Sequence, residues 1–213
     1  MQRLKNKYLS NRNLSNSYTF TNQNKENFLK IEKNRKIIIS EFYNSIEVLS
    51  SKEIFTVTRN KVIITNFYYC YEPTTGLNEN TINNLGLLLN KIYHRPVELH
   101  IIKLSYPYLD RNILAQFVRK QTIKWRFKKI QKQLFKSIPL SRDGILGIKI
   151  IISGRLTTER KKPRITVSTS KIGSFRTFNN KNITDNSSYT YKNSNGAFTV
   201  KISINQIDKS LKI

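Results

Sequence analysis

Residues 110–136 read DRNILAQFVRKQTIKWRFKKIQKQLFK, and this stretch decides both the fold class and the kind of partner. Ile113, Phe117, Ile123, Phe127, Ile130 and Leu134 recur near three- and four-residue spacing. That spacing predicts one helix from Asp110 to Lys136 with a single apolar stripe. Asp110 suits its N-cap and Pro139 its end. From Arg119 onward the cations are Arg119, Lys120, Lys124, Arg126, Lys128, Lys129, Lys132 and Lys136, with no acid among them. Intrahelical ion pairs are therefore ruled out, and like charges four residues apart destabilise an isolated helix. Solvated helix faces ordinarily mix signs. A face of one sign matches phosphate, to which lysines bring salt-dependent affinity, so these eight residues are read as nucleic-acid contacts.

On the C-terminal side, residues 144–156 read GILGIKIIISGRL. The β-branched run predicts a strand from Ile145 to Ile152, closing in Ser153-Gly154-Arg155-Leu156. A basic loop follows with Arg160, Lys161, Lys162 and Arg164. These four join the candidate RNA contacts, as does Arg155 at the strand end. Further strands are expected at Arg164 to Thr169 and Phe198 to Ile204. The Asn- and Ser-rich stretch from Asn179 to Asn195 reads as a loop, with a short strand at Ser188 to Tyr191. A basic helix packed on a mainly antiparallel sheet makes this half α+β.

The preceding half is less cationic. Residues 1–110 hold 15 basic and 9 acidic residues, against 23 and 4 in residues 111–213. Residues 1–27 read as a basic polar arm ordered only by a partner. Helical spacing runs from Phe28 to Leu49, through Ile31, Ile38, Phe42 and Ile46. Ile54 to Tyr71 holds one or two strands, Glu72 to Gly76 a turn, and Val97 to Leu104 a strand. A helix from about Asn80 to Tyr93 is expected to bury Ile82, Leu85, Leu88, Leu89 and Ile92.

Over 213 residues the net charge is +25, with a pI near 10.2 and 38% apolar residues. Such a surplus repels itself unless a polyanion neutralises it, which argues against an enzyme acting on a small neutral substrate. The single cysteine, Cys70, excludes an internal disulfide framework and a thiolate zinc site. Cys70 reads as a packed strand residue among tyrosines. His94 and His100 have no Cys, Asp or Glu set around them and read as structural, so no metal, cofactor or catalytic residue is expected. Trp125 could stack on a base, but packing beside the apolar stripe is the favoured reading. No apolar run approaches a membrane span, and the first residues, Met1-Gln2-Arg3-Leu4-Lys5, lack a secretory h-region. Asparagine and isoleucine make up roughly a quarter of the chain, above ordinary usage. That bias suggests an AT-rich, organellar genome.

The order Val97-Glu98-Leu99-His100-Ile101, Tyr106-Pro107-Tyr108-Leu109-Asp110, the basic helix through Phe127-Lys128-Lys129, and Gly147-Ile148-Lys149-Ile150-Ile151-Ile152-Ser153-Gly154-Arg155-Leu156 resembles the small-subunit ribosomal protein S-three family. Thr157 to Arg164 looks like its fungal mitochondrial, Var-one-like branch. The resemblance is strongest over residues 97–176, returns near Gly196 to Ile204, and is faint before residue 60.

The resemblance implies an arm over 1–27, a KH-like domain over 28–108 and an α+β C-terminal domain over 109–213. It implies a place in the head of the small subunit in the mitochondrial matrix. Small-subunit rRNA, neighbouring head proteins and mRNA, at the channel through which it enters, would be the partners. Lys128, Lys129 and Lys132 stand at the family's channel-lining positions, with lysine replacing arginine at the first two. A working KH clamp needs a Gly-x-x-Gly loop. Only Gly76 lies between Tyr71 and Asn80, and Gly86 falls within a helix, so a degenerate KH domain is expected. Two other functions remain open. An organellar intron endonuclease or maturase would need paired carboxylates for its metal ions, and Asp143, Glu159, Asp185 and Asp208 are scattered. Composition also permits a free-standing RNA-binding regulator of translation, and only the family block argues against it.

Overall fold

The computed structural model describes residues 22–57, 61–71, 77–93, 95–138, 140, 144–159, 164–175 and 182–207. Contacts divide the chain into two compact units that separate between Ser105 and Tyr106. Both combine helices with a sheet, so the fold is α+β.

In the first unit, helix α1 (Asn22–Ser45) leads into β1 (Leu49–Ser50), β2 (Ile54–Val57) and β3 (Val62–Tyr69). Helix α2 (Glu79–Tyr93) and β4 (Val97–Lys103) follow. β3 is the central strand. It pairs antiparallel with β2 (Ile54 opposite Thr65) and β1 (Leu49 opposite Tyr69), and parallel with β4 (Val62 opposite Val97 through Tyr68 opposite Lys103). A parallel pair needs a crossover, and α2 supplies it. Ile39, Tyr43, Val48, Val62, Ile64, Leu85 and Leu89 form the core.

Three differences from the sequence reading appear here. α1 begins inside the expected arm. It ends at Ser45, so that Leu49 is buried in a strand instead of on the helix. Leu88, expected in the core, is 51% exposed beside the exposed Leu87, because Leu85 and Leu89 fix the inward face and Leu88 lies about 100° around from its neighbour. Arg35, on which the sequence reading is silent, is a cation on the buried face of α1 four residues before Ile39. Its guanidinium lies 4.1 Å over the Phe55 ring and 4.0 Å from a Glu53 carboxylate oxygen. Cys70 is half-buried against this core.

The second unit opens with a 3-10 turn (Pro107–Leu109), then α3 (Arg111–Lys124) and α4 (Phe127–Ser137). β5 (Ile145–Gly154), β6 (Val167–Gly173), β7 (Asn182–Asn193) and β8 (Gly196–Ile207) form a wholly antiparallel sheet in the order β6-β5-β8-β7. The two centre strands carry the core. Ile148, Ile150 and Ile152 of β5 stand opposite Ile204, Ile202 and Val200 of β8, and all six are at most 2% exposed. Ile145 is also buried, three residues before Ile148 instead of two. A register shift between Ile145 and Gly147 restores the alternation. α3 covers this isoleucine face against β7 and β8, with Ile113, Leu114, Ala115 and Val118 fully buried.

Three expectations are corrected in this unit. The helix predicted over Asp110 to Lys136 is two helices, broken at Trp125 and Arg126, whose backbones are extended. The cause is a phase jump. Val118 and Thr122 are buried on α3, and Phe127, Ile130 and Leu134 on α4. On a straight helix Phe127 would lie about 140° around from Thr122, so one cylinder cannot bury both sets. Ile123, placed on the stripe by the sequence, is 62% exposed. Second, the stretch read mostly as loop from Asn179 to Asn195 holds the twelve-residue strand β7. Third, β6 begins later than the strand expected at Arg164 to Thr169.

Candidate nucleic-acid interface

α4 is built to show one charged face. Phe127, Ile130 and Leu134 point inward, and Lys128, Lys129, Lys132 and Lys136 are exposed. Lys128, Lys132 and Lys136 lie in a row at four-residue steps, where like charges oppose helix formation. The first turn contains no acid, and the N-cap Arg126 makes no side-chain cap. Lys129 meets an aromatic ring. Its Nζ lies 3.1 Å from the centre of the Trp125 ring, a cation–π contact. Trp125 is 39% exposed at the break between the helices, so the favoured reading, that it packs beside the stripe, is corrected: its phase puts it outward, under the lysine.

α3 carries Arg119, Lys120 and Lys124 of the sequence-predicted set. Asp110 does cap it, Oδ1 accepting from the Asn112 and Ile113 amides at 2.8 and 3.2 Å. Arg119 is exposed, yet its guanidinium lies 4.4 Å over the Tyr191 ring on β7. Burial pushes the Tyr191 phenol up to about 12, against the opposing effect of Arg119. Lys120 is half-buried, and Lys124 and Arg126 are exposed.

Arg126 and Lys128 line one side of an open cleft of about 640 Å³, together with Phe127 and Gln131. Thr158, Glu159, Ile165 and Val167 line the other side. The cleft thus places a carboxylate, Glu159, beside a helix that has none of its own, which no reading along the chain could show. Arg155 is exposed past the end of β5, and its carbonyl accepts from Asn193 Nδ2 at 2.8 Å. Arg164 is exposed. Arg160, Lys161 and Lys162 lie outside the described residues, as does His94. His100 is exposed, 4.0 Å from Glu98. Among the described residues there is no cluster of three or more potential metal ligands, and no helix is long and apolar enough to cross a membrane.

Gly154 explains why the Ser-Gly-Arg-Leu block is constrained. Its φ is +115°, and a Cβ there would come within 2.6 Å of the Ala197 carbonyl and 2.7 Å of Phe198 Cα. The block is therefore a point of backbone contact between β5 and β8, with Arg155 projected just beyond it.

A family model described as mitochondrial ribosomal protein (VAR1) matches residues 48–207. The chain belongs to that family. Among curated proteins, the small ribosomal subunit protein uS3m of Mycosarcoma maydis is 36% identical over 180 residues, covering 73% of this chain and 67% of that protein. Membership of the family makes this chain a mitochondrial ribosomal protein, a structural constituent and not an enzyme. The match runs through β5 and β8 and both basic helices. It also begins at Val48, well before the region where the sequence alone resembled the S-three family strongly.

Proposed function

We propose that the chain is a constituent of the mitochondrial small ribosomal subunit, seated in its head on rRNA and beside other head proteins, with α4 facing the channel through which mRNA enters. One observation carries this reading: the exposed, acid-free face of α4 formed by Lys128, Lys129, Lys132 and Lys136. Its self-repulsion is relieved when phosphates replace water around it. Arg126, Lys124, Arg155 and Arg164 extend the cationic surface, and Arg160, Lys161 and Lys162 join them by sequence. Lysine, where a channel member would carry arginine, gives a point charge without the planar fork. The contacts are therefore to backbone and independent of sequence.

The two-domain reading goes with it. The first unit, taken as a KH-like domain over 28–108, keeps a strand–helix–strand crossover from β3 through α2 to β4. With α2 the one helix described between those strands and no Gly-x-x-Gly segment, we infer that it has lost the nucleotide clamp and serves as a packing module. The excess of asparagine and isoleucine, residues of AT-rich codons, further supports synthesis inside the organelle.

The test is the triple substitution Lys128→Gln, Lys129→Gln, Lys132→Gln. It is expected to leave the chain incorporated into small subunits and to impair passage of structured mRNA, read as stalling at a hairpin in organellar translation. Normal passage through such hairpins would exclude the channel role.

A further inference from the structure

The helices cover one face of the β5–β8 sheet, and among the described residues no helix lies on the other face. Strand register identifies what stands on it. Lys149 of β5 lies directly opposite Lys171 of β6, and on its other side opposite Ser203 of β8. Two residues on, Ile151 lies opposite Lys201 of β8, and Lys201 opposite Ser188 of β7. Lys171 and Lys201 are exposed and Lys149 is half-buried. Three lysines thus gather on adjacent strands, across about 10 Å of sheet. Like charges directly opposite one another destabilise a sheet, and no carboxylate among the described residues stands on this face to offset them. Among the described residues of this unit the carboxylates are elsewhere: Asp110 caps α3, Glu159 lines the helix-side cleft, and Asp185 stands on the covered face, bonded to Arg111.

We propose that this uncovered sheet face is a second RNA-binding surface, taking the sugar–phosphate backbone of folded ribosomal RNA. The C-terminal unit is then held between two RNA segments, one on α4 and one on the opposite side. The inference rests on the reading of the chain as an rRNA-bound subunit protein and adds a site to it. Its chemistry selects the occupant. Around the lysines stand hydroxyls and amides, among them Thr190 and Thr199, whose Oγ1 atoms are 3.0 Å apart, and Asn186 opposite Ser203. Such groups bond to phosphate and sugar oxygens and fix position without reading sequence. No aromatic residue shares the central positions, so the face lacks the stacking platform that single strands need. A flat cationic surface without stacking rings fits the backbone of a duplex stem.

The experiment compares two variants of the full chain: Lys149→Gln, Lys171→Gln, Lys201→Gln on the sheet, and the triple α4 variant. Each is titrated against a double-stranded RNA stem of arbitrary sequence over a range of salt. Each lysine–phosphate contact contributes about one to the slope of log affinity against log salt, so the sheet variant should lose about two to three from that slope. In assembled mitochondrial small subunits, Lys149, Lys171 and Lys201 should be protected from acetylation relative to the free chain. Lys171→Gln alone, at an exposed edge-strand position, should lose about one and guards against misfolding of the triple variant. An unchanged slope overturns the proposal, as do lysines that stay reactive in the particle. Protection with an unchanged slope also overturns it, by pointing to an acidic protein on this face. A slope altered by the sheet set and untouched by the α4 set would instead remove the α4 reading and leave this one standing.

Discussion

Arg111 Nη1 lies 2.7 Å from Asp185 Oδ1, joining the first turn of α3 to the edge strand β7 across 74 residues of chain. Both side chains are largely shielded, at 19% and 13% exposure, and the Ser187 hydroxyl donates to the Arg111 carbonyl at 3.0 Å beside them. The pair uses one of the few acids in a cationic half to orient the helix over the sheet. Hydrogen bonds between charged groups are worth about 1.5–3 kcal/mol. Asp185→Asn should therefore lower the unfolding free energy by about 1–3 kcal/mol in a urea titration. Combined with Arg111→Met it should cost less than the sum of the two single changes.

Gly154→Ala should be more damaging than its size suggests. The φ of +115° and the 2.6 Å approach to the Ala197 carbonyl act together, and the backbone strain alone costs about 1–3 kcal/mol. Thermal unfolding should show a clear loss of stability. Arg155→Ala, one residue on and exposed, should change stability by less than about 0.5 kcal/mol.

Trp125 is the only tryptophan in the chain, and it sits under Lys129. Lys129→Gln should remove about 0.5–1 kcal/mol and alter the emission of that single fluorophore. Binding of an RNA stem should move the emission in the same direction, because phosphates draw the ammonium from the ring. Emission unaffected by either change would show that Lys129 does not hold this position in solution.

Tyr191 should titrate late. Its phenol, pushed up to about 12 by burial, compares with about 10 for an exposed tyrosine. The native state thus favours the neutral form, and its contribution to stability is intact below pH 10 and lost between 10 and about 12. Tyrosinate absorbance should lose a late-titrating component in Tyr191→Phe, and Arg119→Gln should move that component higher still.

The helix cap, the isoleucine strand and the α+β class could be read from the sequence because each has a local cause: Asp110 before a helical repeat, and Ile145 to Ile152 as a β-branched run. The break at Trp125 was also encoded, as the five-residue step from buried Thr122 to buried Phe127, but the exposed Ile123 masks that step and the charge pattern runs on unbroken across it. β7 was hidden for a different reason. Its Asn and Asp are depleted in strands, and only the alternation of Asp185, Ser187, Tyr189 and Tyr191 on the covered side betrays a strand held by its neighbour β8. Of the candidate site, the lysines of α4 were legible because one helix displays them. Lys149, Lys171 and Lys201 were not, because they meet only through register. The contact of Arg119 with Tyr191 was not legible either, because the two are distant in sequence.

The place of β8 at the centre of the C-terminal sheet sets an order of events during synthesis. β5 is made well before β8, and its isoleucine row has nothing to pair with on that side until β8 has left the ribosome that is making it. Non-local pairing of this kind slows folding and leaves apolar surface open to aggregation. The newly made chain therefore passes through a window in which that edge of β5 is open, and β8 is the strand that closes it.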